Sequence, residues 1–462
     1  MKEHIKENPL GYAPIPKLMI NFTAPSIIAM VVGALYNIVD QLFIGQAVGT
    51  LGNAATNVAF PLSTSCIALS LFFGIGGASS FSLTLGRGEK EKAGYYIGNA
   101  VTMLLLTGTA LCIGTQLFLN PLLYGFGSPD NVLPYAQSYV RITSIGFPFL
   151  ILTTGGGHLI RADGSPRMTM ICNLSGAVIN TALDALFVFG FGWGMFGAAL
   201  ATVIGQIFSA VLVIWYLSRY KTVPLLRKHF LIRWKTTLHV MKQGISSFCN
   251  QLAMMVVQIV LNLSLTHYGG LSAFGTAVPL AVAGIVMKVN QIFFSIVIGL
   301  GQGSQPIEGF NYGAKQYGRV RQAYRIAIFS GLFISFIAFG LFQIFPRQII
   351  SLFGDGSETY YTFGVSYFRV FLFFTWANCF QPITSTFFTS IGKPFKGVFL
   401  SLTRQILFLL PLILLLPLFF GIDGILYSGP TADVLSAIVT LCMAGWEFRS
   451  MKKFERAEKQ SE

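Results

Sequence analysis

Charge, histidine and paired cysteine are all scarce in this chain. Only 10% of its 462 residues are charged, with 5 His and 6 Cys. Cys66, Cys112, Cys172, Cys249, Cys379 and Cys442 stand far apart in apolar surroundings without CxxC spacing. That excludes a disulfide framework and a thiolate metal site, and leaves them as small packing residues. No Walker A run and no HExxH is present, and no polar segment is long enough to form a nucleotide-hydrolysing domain. GxGxxG-like runs such as GIGGAS lie inside an apolar stretch and follow no strand, so they carry no dinucleotide meaning.

What is present is apolar. The chain is 53% hydrophobic and 14% aromatic, with mean hydropathy +0.66. A hydrocarbon layer about 30 Å thick needs roughly 20 mostly apolar helical residues to cross it. Such stretches fall at 18–44, 51–82, 94–119, 135–159, 168–191, 196–218, 240–266, 272–306, 323–345, 361–390, 398–420 and 422–446. Transmembrane strands would give alternating segments of about ten residues instead. The expected fold is therefore an all-α polytopic membrane protein with twelve transmembrane helices. The first stretch lacks an A-x-A exit and contains Asp40, so it reads as a retained span.

The net charge of +14 does not indicate nucleic acid, because of where the cations sit. They cluster in alternate breaks and at the ends: Lys2/Lys6/Lys17, Arg87/Lys90/Lys92, Arg161/Arg167, Arg219 to Lys242, Lys315/Arg319/Arg321/Arg325, Lys393/Lys396 and Arg449 to Lys459. The opposite breaks hold essentially Arg347 alone. This positive-inside pattern predicts a multi-pass protein of the cell membrane with both termini cytoplasmic.

The chain also repeats itself. GIGGASSFSLTLGRGEK at 74–90 resembles GLGQGSQPIEGFNYGAK at 299–315, pairing Gly74 with Gly299 and Gly88 with Gly313. YVRI at 139–142 matches YFRV at 367–370, and ADGSPR at 162–167 matches SIGKPF at 390–395. The expected organisation is an N-terminal six-helix lobe at 1–222, a basic linker at 223–238, a C-terminal six-helix lobe at 239–446 and a cytoplasmic tail at 447–462. Six spans per lobe make the repeats parallel, with a cavity between lobes that rock to give alternating access.

Inside these spans a few polar residues stand out. Asp40 and Asp184 lie in VVGALYNIVDQLFIG and AVINTALDALFVFG, and an intramembrane carboxylate is by default a functional hypothesis. Gly33, Tyr36, Asn37 and Asp40 share one helical face, Asn173, Ala177, Asn180 and Asp184 share another, and Thr202, Gln206 and Ser209 form a third. No cation lies at mid-depth in the first half; Arg141 sits near an outer end and snorkels. The aspartates can then load a proton, or take sodium with help from Asn oxygens. In the register of GSPR and GKPF, Asn180 and Asp184 correspond to Phe408 and Leu412. The second half instead carries Lys288, its one clear mid-span cation, together with Asp433; Glu308 reads as interfacial. Pro25 on the Asp40 helix is a candidate bending point.

The runs APSIIAMVVGALYNIVDQLFIG, GIGGASSFSLTLGRGE, RADGSPR and GLGQGSQPIEGFNYGAK resemble the multidrug and toxic compound extrusion (MATE) transporters over essentially the whole chain, in particular the DinF/MepA-like branch. The resemblance implies an antiporter, not an enzyme, which exports lipophilic cationic small molecules in exchange for protons or sodium. It places ion coupling at Asp40, Asp184 and Asn180, with Tyr36, Asn37, Tyr139 and Thr202 around the same cavity and Pro25 at the helix-one bend. Asn173, Gln206 and Lys288 are further cavity candidates. The NorM-like branch is expected to carry acids on helices seven and ten, but those spans here read SSFCNQLAMMVVQIV and FFTWANCFQPITS. Proton coupling in the first lobe is therefore the expectation, with sodium at Asp40, Asn180 and Asp184 as the alternative. No cofactor, resident metal or nucleic acid is expected, and the protein should work in membrane lipid as a monomer. Two other readings stay open: a lipid-linked oligosaccharide flippase, which needs several cavity cations, and a non-transporting scaffold or receptor.

Overall fold

The computed structural model describes residues 8–353 and 357–461. Lys2, Lys6 and the last residue of the expected tail lie outside the described residues.

Among the described residues the chain is helical, with no strand. Ten helices are long and apolar enough to cross a membrane. In chain order the crossing elements are α1 (Ile15–Val48), α2 (Thr50–Gly86), α3 (Lys90–Leu117), α4, α5 (Pro166–Asp184), α6 (Gly194–Leu217), α7 (Trp234–Gly270), α8 (Ala277–Gly313), α9 (Tyr317–Ile344), α10, α11 (from Pro394 to Phe420) and α12 (Ile422–Ser461). Two of the twelve expected spans, α4 and α10, are interrupted. α4 comprises Leu133–Thr143 and Phe147–Ala162 around a 3-10 turn at Ser144–Gly146, and α10 comprises Glu358–Phe371 and Phe380–Ser390 around one at Thr375–Ala377.

A break inside hydrocarbon leaves carbonyls that water cannot reach, so the protein must supply donors. Both lobes use the same one. Gln116 Nε2 on α3 donates to the Arg141 carbonyl at 2.6 Å, and Gln343 Nε2 on α9 donates to the Arg369 carbonyl at 3.1 Å. In α4, Pro148 also lacks the N–H needed to continue the ladder.

Turn chemistry ends the helices where the sequence repeats. Pro166 and Pro394 start α5 and α11 at positions where a missing N–H costs nothing. The ADGSPR turn is fixed by Asp163, which accepts from Tyr216 Oη at 2.8 Å and from the backbone N–H groups of Lys221 and Thr222 at 2.8 and 2.9 Å. Burial pushes its carboxyl up, and these hydrogen bonds work against that.

The structure shifts one register of the repeat. α3 and α9 are each 28 residues long, starting at Lys90 and Tyr317. Lys90 therefore corresponds to Tyr317, not Lys315, and Gly86 corresponds to Gly313. The sequence match of glycines is two residues out because glycines recur at every second position there. Packing agrees: a Cβ at Gly86 would run into the Phe310 carbonyl, and one at Gly313 into the Leu83 carbonyl.

The lobes meet through α1 against α8, α2 against α7, and α2 against α8. Side-chain hydrogen bonds crossing between them gather on the side that carries the termini. Gln305 Nε2 donates to Ser79 Oγ at 2.7 Å, Asn311 Nδ2 donates to the Leu10 carbonyl at 2.9 Å, and Arg319 donates to the Leu10 and Ala13 carbonyls. The expected tail continues α12 as a helix, and its Glu455 pairs with Arg321 at 2.6 Å.

Because α2 and α8 touch backbone to backbone at Gly313, Gly313→Leu should part them. Overpacking of this kind costs about 1–3 kcal/mol. A lowered thermal midpoint of the purified protein, with Gly445→Leu on open helix surface as control, is the expected measurement.

Candidate functional site

Asp40 and Asp184 come together. Asp40 lies in the second half of α1, which runs through Pro25 without interruption as one helix. Asp184 is the last residue of α5, where the α-helical ladder gives way to a π turn at Ala185–Gly190. A π turn of this kind re-aims side chains and often marks a functional site. Both aspartates are buried, at 9% and 1% exposure, and their carboxyl groups are within hydrogen-bonding reach of each other.

Neither Asp184 oxygen nor Asp40 Oδ1 meets a donor, and neither acid has an ion-pair partner among the described residues. Two carboxylates can only accept, so a hydrogen bond between them requires a proton on one of them. The shell is polar but uncharged. Asn180 Nδ2 donates to Thr202 Oγ1 at 3.2 Å, leaving Asn180 Oδ1 without a donor. Tyr36 reaches the same Thr202 hydroxyl, and Tyr139, from the first piece of α4, sits close enough to feel both acids and Tyr36. Four helices, α1, α4, α5 and α6, thus converge on one pair of carboxyls.

Other candidates stand elsewhere. Asn37 is exposed and its amide donates to the Gly33 carbonyl at 2.7 Å on its own helix. Asn173 is half-buried, three turns before Asp184 on α5. Gln206 points its oxygen at the α4 break, where a Cβ on Gly146 would strike it. Ser209 donates to the Cys172 carbonyl at 2.9 Å. The α6 stripe therefore splits, and only Thr202 joins the acids. Lys288 is half-buried and has no acidic partner among the described residues.

Three residues read differently from the sequence. Arg404, on a π turn of α11, pairs with Asp433 of α12 at 2.7 Å and is 12% exposed. Lys288 is thus not the one mid-span cation of the second half, and Asp433 is neutralised by a neighbour. Arg161, grouped with the basic breaks, is 3% exposed against His158. Glu308, near the end of α8, is fully buried within the protein. A glutamate beside a glycine-rich run gives no sequence signal of burial against other helices.

The MatE family model matches residues 25–186 and 247–415, a stretch in each lobe. The chain belongs to the MatE family. This is a family of transporters, not enzymes. Among curated relatives, the multidrug export protein MepA of Staphylococcus saprophyticus is 24% identical over 437 residues, covering 92% of each chain. MepA of Staphylococcus aureus is 24% identical over 444 residues, covering 95% of this chain and 96% of its own. Among solved structures, a MOP superfamily transporter from Pyrococcus furiosus, described as having a binding pocket of reverse polarity, superposes with a TM-score of 0.89 at 21% identity, over 96% of this chain and 98% of that one. A multidrug resistance MATE transporter in an outward-facing conformation gives the same TM-score, identity and coverage. These likenesses establish the all-α polytopic fold of this MatE-family protein.

Thr202 is the hinge of the polar shell. Thr202→Val removes the acceptor used by Asn180 and leaves a buried amide unsatisfied, at a cost of about 1–3 kcal/mol. A lowered thermal midpoint, recovered by Thr202→Ser, is the expected result.

Proposed function

We propose that this protein is a proton-driven antiporter of the cell membrane that exports lipophilic cations by alternating access. One observation carries the reading: two buried carboxyls, Asp40 and Asp184, meet without a protein cation, and a hydrogen bond between them needs a proton on one of them. A proton arriving there neutralises the pair, and its release to the other side leaves charge that hydrated access must stabilise. Asn180, Thr202, Tyr36 and Tyr139 set the polarity around it. Sodium is the competing occupant, since Asp40, Asp184 and Asn180 offer hard oxygen atoms without donors.

The relatives named multidrug export proteins support small-molecule cations as cargo. The positive-inside pattern supports cytoplasmic termini, and the gathering of inter-lobe hydrogen bonds on the terminal side supports a state closed to the cytoplasm. Rocking of the lobes as units in a monomer would open that side in turn. A flippase reading rests on Lys288, the half-buried cation without an acid; Arg404 is already neutralised by Asp433.

Asp40→Asn and Asp184→Asn should each abolish drug resistance in cells lacking other pumps while leaving protein abundance unchanged. Normal resistance in both would remove the coupling role. In proteoliposomes, an imposed proton gradient should drive ethidium efflux and a sodium gradient alone should not; the reverse outcome would make sodium the coupling ion. If Lys288→Ala harms function more than either aspartate change, the flippase reading takes precedence.

A further inference from the structure

Among the described residues, Glu308 is the buried acid of the second lobe that has no ion-pair partner: Asp433 and Glu447, the other two, are paired with Arg404 and with Lys393 and Lys396. It lies in α8 between Pro306 and Gly309 and is fully buried, with neither carboxyl oxygen meeting a donor. In the corrected register its first-lobe counterpart is Phe81, also fully buried. An ionisable side chain thus occupies a place that its sister lobe fills with a phenyl ring.

The surroundings decide what form Glu308 takes. The hydroxyls of Ser304 and Ser390 come within reach of its carboxyl. Yet Ser304 Oγ donates to the Gly301 carbonyl at 2.9 Å, and Ser390 Oγ donates to the Thr386 carbonyl at 2.8 Å. A hydroxyl has one proton, so each serine that turns to donate to Glu308 gives up its bond to the backbone carbonyl. From α9 the nearby titratable group is Tyr324, whose hydroxyl is engaged with Thr384 Oγ1 at 2.7 Å. From α2, Ser82 and the backbone of Leu83 back onto Gly309. Lys393, just past the end of α10, is held by Glu447. An ionised Glu308 would have to draw these protons from the Gly301 and Thr386 carbonyls, whereas a carboxylic acid donates its own O–H to a serine oxygen and leaves both of those bonds in place.

The same turns of α8 form the contact between lobes. Gln305 donates to Ser79 of α2, Gly309 sits against Ser82 and the Ser390 carbonyl, Gly303 against Thr23 of α1, and Gly313 against the Leu83 carbonyl. At 0% exposure Glu308 does not reach solvent in this packed state. We infer that Glu308 is a second proton-binding site, in the C-terminal lobe, whose occupancy locks the terminal-side contact between the lobes and whose release accompanies its opening. The site is separate from the Asp40–Asp184 pair and does not depend on it.

Linkage fixes the sign: if opening releases one proton, the opening equilibrium rises about tenfold per pH unit over the range where Glu308 loses its proton. Amide hydrogen exchange of the full-length protein in nanodiscs, corrected for intrinsic pH dependence, should show that rise in segments 74–86 and 299–313. Glu308→Gln, neutral at every pH, should flatten it, whereas Asp40→Asn and Asp184→Asn should leave it in place even where transport is lost. An unchanged profile in Glu308→Gln, or its loss only in the aspartate variants, would overturn the proposal. Difference infrared spectroscopy gives an independent measure. A protonated-carboxyl band should vanish in Glu308→Gln and shift in the double variant Ser304→Ala/Ser390→Ala, which loses both acceptors; if Glu308→Gln does not fold, an unshifted band in the double variant rejects the idea on its own.

Discussion

A membrane interior supplies no hydrogen bonds, so each polar group that enters it must find its partner within the protein. That constraint sorts the buried acids of this chain into two kinds. Asp163, Asp433 and Glu447 are answered: by a tyrosine hydroxyl and two amides, by Arg404, and by Lys393 with Lys396. These three are structural, binding a turn to a helix end or one helix to the next. Asp40, Asp184 and Glu308 are not answered. An unanswered carboxyl in such a setting takes a cation or a proton, which is why the functional argument converges on these residues and not on the better-connected ones.

The lobes are alike in scaffold and unlike in chemistry. The same glutamine–carbonyl bond mends the broken helix in each, the same proline starts the fifth and eleventh helices, and paired glycines bring the backbones of α2 and α8 into contact. Such features set shape and survive in both copies. The unpaired buried acids do not repeat: two sit on α1 and α5 of one lobe, and one sits near the end of α8 in the other. A symmetric frame carrying asymmetric charge can respond differently on its two faces.

Much of this was legible in the sequence. Apolar length placed the ten continuous membrane-length helices of the described residues to within several residues. Helical spacing put Tyr36 with Asp40 and Asn180 with Asp184, and the structure joins these two faces at Thr202. Spacing failed where a side chain had a local alternative: Asn37 bonds its own helix, Gln206 turns to the α4 break, and Ser209 caps a carbonyl. A periodic pattern gives direction from the helix axis but not which neighbour lies there. The Arg404–Asp433 pair was missed for the related reason that the pairing of a single charge depends on helices far away in sequence. The breaks in α4 and α10 hid inside stretches whose apolarity alone looked continuous.

One modest contact bears on how the halves can move. Asn99 of α3 donates to the His229 and Leu231 carbonyls, and accepts from the Arg233 N–H and from the Thr237 hydroxyl. The basic stretch joining the lobes is therefore stitched along its length to the first lobe and travels with it. The slack that a rocking motion needs is not in this strap. It must arise beyond Thr237, in the opening turns of α7, where Gly244 rides against the Phe72 carbonyl. The chain's own connection thereby ties one edge of the two halves together, so that any rocking would have its freedom at the opposite edge.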